Sequence, residues 1–244
     1  MNRIKVSNLG AALLCAAGLV GVCAPSRGAE VDHTNPCGQV YVVGQYGPYD
    51  YRVDKKFLPI VLGAHFTREV EALERGATGA TPGGDIDYTL RAIPNNPRAL
   101  IAMMRLGERE HLPQPRGARF TVECYFERAL RFRPDDHLVR MLFSSFLIKN
   151  GRTNEAIPQL KYVESEADPE DPFTQNNLGL LYLDAGEFDA ALRQARKAQA
   201  LGLTPTELRS KLIQAGKWVD AEAPTGAASA PASSAQAASG PAGQ

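Results

Sequence analysis

Between residues 171 and 201 the apolar side chains recur at helical spacing. Leu178, Leu181, Tyr182 and Ala185 form one stripe, and Phe188, Ala191, Leu192, Ala195 and Ala198 form a second. Asp171 and Pro172 open the first stripe, where proline's missing N–H is not needed. Gly186 divides the stripes and Gly202 closes the second, since glycine readily takes the left-handed conformation at a helix end. The pattern predicts two helices joined by a tight turn. Gly179 and Ala191 would let them approach closely, with Tyr182 and Phe188 filling the space beside them.

Such a hairpin cannot bury its apolar face alone, so neighbours are required. Residues 136–168 carry a degenerate copy: Phe143, Leu147, Gly151, Ala156, Leu160 and Val163 hold the equivalent places, with Ser144 where Gly179 stands. Gly151 and Gly186 lie 35 residues apart. Another step back, Leu106-Gly107 repeats the close-packing pair, and Phe126, Ala129, Leu130 and Pro134 repeat the second helix and its terminator. The intervening HLPQPRG, His111 to Gly117, holds two prolines and a glycine and reads as a loop longer than a usual turn. Asp87 to Pro97 (DYTLRAIPNNP) supplies a still earlier helix end, with Ala64 to Arg75 as its expected partner. The expectation is about four hairpins over residues 60–220, closed by a helix from Pro205 to about Gln214.

The set Leu178-Gly179, Tyr182, Gly186, Phe188, Ala191 and Ala198 resembles a tetratricopeptide repeat, a helix–turn–helix unit of about 34 residues. The resemblance implies an all-α, right-handed superhelix whose groove is lined by the first helix of each hairpin. Three segments, YGPYDYR, HFTREVEALERG and TPGGDIDYTLRAIPNNPRAL, resemble a family of exported proteobacterial tetratricopeptide-repeat proteins. That resemblance implies fold and location, and no biochemical role.

Residues 1–28 read as an export signal: Arg3 and Lys5 precede an apolar run, Leu9 to Val22, too short to span a bilayer comfortably. Lipid attachment at Cys23 is the alternative. Loss of the signal would leave Cys37 and Cys124, an expected disulfide in an oxidising, periplasmic or extracellular compartment. Residues 29–59 form a tyrosine-rich segment, in which Gln39 to Val43 has strand character and Gly47-Pro48 marks a turn. Residues 221–244 are almost wholly Ala, Ser, Pro, Gly and Gln, a composition that cannot bury enough to offset ordering.

Lysine plus arginine equals aspartate plus glutamate at 27 each, so no global positive field attracts nucleic acid. Four scattered histidines, no phosphate loop and no nucleophile elbow argue against an enzyme. TPGGDID, Thr81 to Asp87, lacks a calcium-loop ligand series and reads as a turn in which Asp85 starts a helix. No metal site and no cofactor are expected. Helix geometry assigns Arg105, Glu108, Met141, Ser145, Lys149, Asn176, Asn177 and Leu180 to the groove, a mixture of amides, charges and apolar surface suited to an extended peptide. The expected function is a non-catalytic adaptor for a protein or peptide partner, without stable membrane insertion once the signal is lost. The alternative is a small-ligand or glycan accessory, or a weak enzyme, using Tyr46, Tyr49 and Tyr51 with Asp50 or Asp54.

Overall fold

The computed structural model describes residues 35–78, 81–204 and 206–219. The expected signal, the Cys23 attachment site and the low-complexity tail lie outside them. The described residues are all-helical, with ten helices and no strand.

A short N-terminal block comprises α1 (Leu58–His65), α2 (Arg68–Glu71) and α3 (Pro82–Ala92). The partner helix expected over Ala64 to Arg75 is instead broken at Phe66 and Thr67. The break has a packing reason. Val61 buries against Leu58, Ala92 and Ile93, whereas Phe66, Val70 and Leu73 turn into a separate cluster with Ile86 and Leu90. α3 begins at Pro82 rather than Asp85, so both glycines of TPGGDID lie inside the helix. Gly83 is needed there, because a Cβ would stand 2.1 Å from the Arg116 carbonyl oxygen.

Next come α4 (Pro97–Glu110), α5 (Val122–Phe132), α6 (His137–Lys149) and α7 (Thr153–Glu166), followed by α8 (Pro172–Asp184), α9 (Phe188–Ala200) and α10 (Thr206–Gln214). α6 and α7 pack on one another across residues 150–152, as do α8 and α9 across residues 185–187. At both turns a left-handed glycine follows the helix, Gly151 (φ 73°) and Gly186 (φ 80°). Gly179 fits where a Cβ would approach Leu208 Cδ2 to 2.4 Å and Gln194 Cβ to 3.3 Å.

A repeated start signal opens the first helix of each pair, α4, α6 and α8. Proline, one residue, then Asn or Asp occurs at 94–96, 134–136 and 169–171. Asn96 accepts hydrogen bonds from Arg98 N and Ala99 N, Asp136 from Val139 N, and Asp171 from Phe173 N. Each cap satisfies an N–H that the helix leaves without a partner. α4 packs beside α6, α6 beside α8, and α8 beside α10, while α5, α7 and α9 sit between successive members of that row.

Residues 39–43 form no strand, since no second strand lies alongside to complete a ladder. The carbonyls of Cys37 and Gln39 accept hydrogen bonds from Arg128 Nη1, and that of Gly38 from Arg131. The Cys37–Cys124 disulfide is formed and ties this segment to α5.

Candidate partner-binding face

The row of α4, α6 and α8 presents one continuous run of helix surfaces. Arg105, Glu108, Lys149 and Asn177 are exposed on it, while Ser145, Asn176 and Leu180 are half-buried. Lys149 Nζ donates to Glu108 Oε1 at 3.0 Å, directly linking α6 to α4. Both side chains are about half in water, so the pair adds little stability. Arg105 adds its charge to that of Arg98, whose hydrogen bond is the main reason Glu71 lies below the usual carboxylate range.

Met141 does not belong to this surface. It is 6% exposed and packs with Leu178 and Tyr182, because its side of α6 meets α8. Two residues that sequence reasoning passed over stand out instead. Leu138 is 47% exposed and Phe173 66%, each lying two residues after a capping aspartate. The shared register after the Pro-x-Asp signal was the available clue. In α4 the same position is Arg98, which pairs with Glu71.

Between the C-terminal halves of α4 and α6 lies a half-open cavity of about 580 Å³. Met104, Leu112, Val122 and Phe146 give it apolar walls, and Glu108 and Arg152 give it charged edges. His111, left-handed at φ 54°, ends α4 and turns the chain back. Residues 112–121 then fold over the helix end, with Leu112 N donating to Gly107 O and Val122 N to Pro113 O. The loop read only as an over-long turn therefore walls the cavity. Gly107 is required beneath it, because a Cβ would lie 2.8 Å from Val122 Cγ2. Arg152 donates to Glu123 and Glu155, each at 2.7 Å, across the cavity edge.

The tyrosine-rich segment is used differently. Tyr46 meets Tyr49 edge-on, Tyr49 stacks on Phe57 at 4.6 Å, and Lys55 sits over the Tyr51 ring. These contacts hold the rings against one another and against Phe57 and Lys55. Asp50 is 2% exposed and accepts hydrogen bonds from Arg52, Arg133 and Asn95, while Asp54 accepts from Asp50 N. Burial alone would raise the Asp50 carboxyl, but these donors overcome it and hold the group well below the usual range. Asp50 is thus a buried anion joining its own segment to Asn95 and Arg133.

No family model matches the chain, and no curated protein or solved structure matches it. Among the described residues no group of His, Cys, Asp and Glu is arranged to hold a metal, and no helix is long and apolar enough to cross a membrane.

Proposed function

We propose that the chain is a non-catalytic adaptor of the tetratricopeptide type, a superhelix that binds an extended segment of another protein along α4, α6 and α8. The observation that carries this reading is the side-by-side row of similarly capped helices, whose exposed residues include Glu108, Lys149, Asn177, Leu138 and Phe173. An extended peptide crossing such a row meets amides and charges for its backbone and apolar side chains for its anchors. The cavity beside Glu108 would take one apolar side chain of the partner. The Cys37–Cys124 disulfide supports work in an oxidising compartment outside the cytoplasm.

A second reading has one observation in its favour. The cavity volume of about 580 Å³ falls within the range of small-molecule sites, about 300–1,000 Å³. Capture of partners by the full chain, compared with Leu138→Ala/Phe173→Ala and Asn176→Ala/Asn177→Ala, tests the first reading. A captured protein that protects α6 and α8 from hydrogen exchange, and is lost with Leu138→Ala/Phe173→Ala, supports the adaptor. Equal capture by all three chains overturns the row as the site.

A further inference from the structure

Exposed apolar side chains are concentrated in one stretch of the chain. Of twelve large ones among the described residues, six lie between residues 41 and 60: Tyr41, Val42, Val43, Tyr46, Val53 and Ile60. Val43 is 104% exposed, at a turn where Gln45 N donates to Val42 O and Gly44 is left-handed. The base of this tip is firmly held. Arg128 and Arg131 bind the carbonyls of residues 37–39, Gln45 Nε2 donates to Arg91 O, and the disulfide anchors Cys37. The base of the tip is therefore fixed while Val42 and Val43 stand in water.

The charges nearby are sorted. No Asp, Glu, Lys, Arg or His occurs from Cys37 to Tyr49. The next acids, Asp50 and Asp54, face inward onto arginines, an amide and backbone N–H. Lys55 and Lys56 stand exposed. They are joined to the tip by ring contacts running from Tyr46 through Tyr49 to Phe57, over which Lys56 lies. Residues 41–56 thus offer exposed Val and Tyr together with two exposed lysines, and the exposed acid beside them, Asp135, is paired with Arg52.

We propose that this tip docks on an anionic lipid surface. Val42 and Val43 would enter the boundary between headgroups and acyl chains, Tyr41 and Tyr46 would lie at headgroup level, and Lys55 and Lys56 would meet lipid phosphates. Tyrosine favours that interface because its ring is apolar and its hydroxyl wet. Apolar burial and attraction to anionic headgroups together set the strength of such binding. A second copy of the chain is a poorer occupant: a stable interface takes about 20–30 residues a side, far more than a projecting turn supplies. The proposal does not depend on the peptide-binding row.

The test uses the full chain with vesicles of equal parts phosphatidylcholine and phosphatidylglycerol, and with phosphatidylcholine alone. Flotation is measured together with hydrogen exchange of residues 40–46. Protection of these amides by anionic vesicles is expected, and little by phosphatidylcholine alone. Val42→Asp/Val43→Asp should lower partitioning about tenfold, and each of Lys55→Gln and Lys56→Gln about fivefold. Val43 packs on nothing, so unchanged thermal unfolding will show that the aspartate variant folds. Amides 40–46 that exchange equally with and without vesicles overturn the proposal, even where the chain floats through its Leu9 to Val22 run. Protection that appears on concentrating the protein without lipid overturns it in favour of self-association.

Discussion

The two ends of the helical row are secured by different chemistry. At the C-terminal end Leu178, Tyr182, Ala191, Ala195, Leu208 and Leu212 form a single apolar cluster, with small residues letting helices close on one another. A polar tie within it is the half-buried Glu164, which accepts from Tyr182 Oη and Gln194 Nε2. At the N-terminal end an irregular segment is fastened by polar and covalent links across long stretches of chain. Cys37 joins Cys124, and Asp50 joins Arg133 and Asn95; beside them, Asp87 of α3 receives Tyr125 Oη at 2.6 Å. The difference follows from backbone accounting. A helix satisfies its own N–H and C=O groups, whereas an irregular segment must borrow partners from side chains. Arg128, only 1% exposed, serves that purpose for Cys37 O and Gln39 O, and burial pulls its guanidinium down to about 10.

Removing the disulfide should have the largest effect on the N-terminal end. Cys37→Ser/Cys124→Ser opens a link between residues 87 apart and should cost about 2–5 kcal/mol in denaturant unfolding. Hydrogen exchange should rise in residues 35–57 while α8 to α10 keep their protection. Equal loosening at both ends would show that the ends fold as one unit. Asp50→Ala comes next, at about 3 kcal/mol, because it leaves Arg52, Arg133 and Asn95 facing a vacated site. The same local pattern of exchange is expected.

Acid should separate the ends in the same direction. Asp50 and Asp85 both ionise below their ordinary range; in each, burial raises the group and hydrogen bonds more than offset it. For Asp85 the donors are His65, Ala77 N and Thr78. A carboxylate depressed in the fold binds fewer protons there than in the unfolded chain. Its contribution is therefore complete above the unfolded value, about 4, and lost as pH falls toward the lower folded one. Unfolding free energy measured across this window should decline, and Asp50→Asn should flatten the decline. A slope unchanged by Asp50→Asn would mean that other groups carry it.

This contrast also explains which parts of the molecule could be read from the chain. Leu178, Gly179, Tyr182, Gly186 and Ala191 lie within one hairpin, so their spacing reports their packing directly, and α8 and α9 appear where expected. The broken α1 and α2 and the unpaired residues 39–43 depend on partners far along the chain, and a local pattern carries no record of those. The candidate site shows the same division. Exposure of Glu108, Lys149 and Asn177 follows from helical phase, but Met141 is buried because α8 lies against it, which no phase within α6 announces. Leu138 and Phe173 were legible only by comparing residues after each Pro-x-Asp signal.

The turn that ends α4 beside the cavity differs from its counterparts in the residue at its left-handed position. α6 and α8 pass the left-handed position at their ends to Gly151 and Gly186, whereas α4 ends on His111 in that conformation. A side chain at positive φ is strained relative to glycine, so His111→Gly should raise stability by about 0.5–1 kcal/mol. The measurement is denaturant unfolding beside partner capture in the same variant. His111 also lines the cavity, so one substitution can alter stability and capture, and both are measured. Greater stability with capture lost would assign the imidazole a part in binding, retained against its backbone cost. Greater stability with capture unchanged would leave the turn, and not the ring, as what the cavity needs from this position. A loss of stability would mean that the ring makes contacts in the cavity wall worth more than the strain it carries.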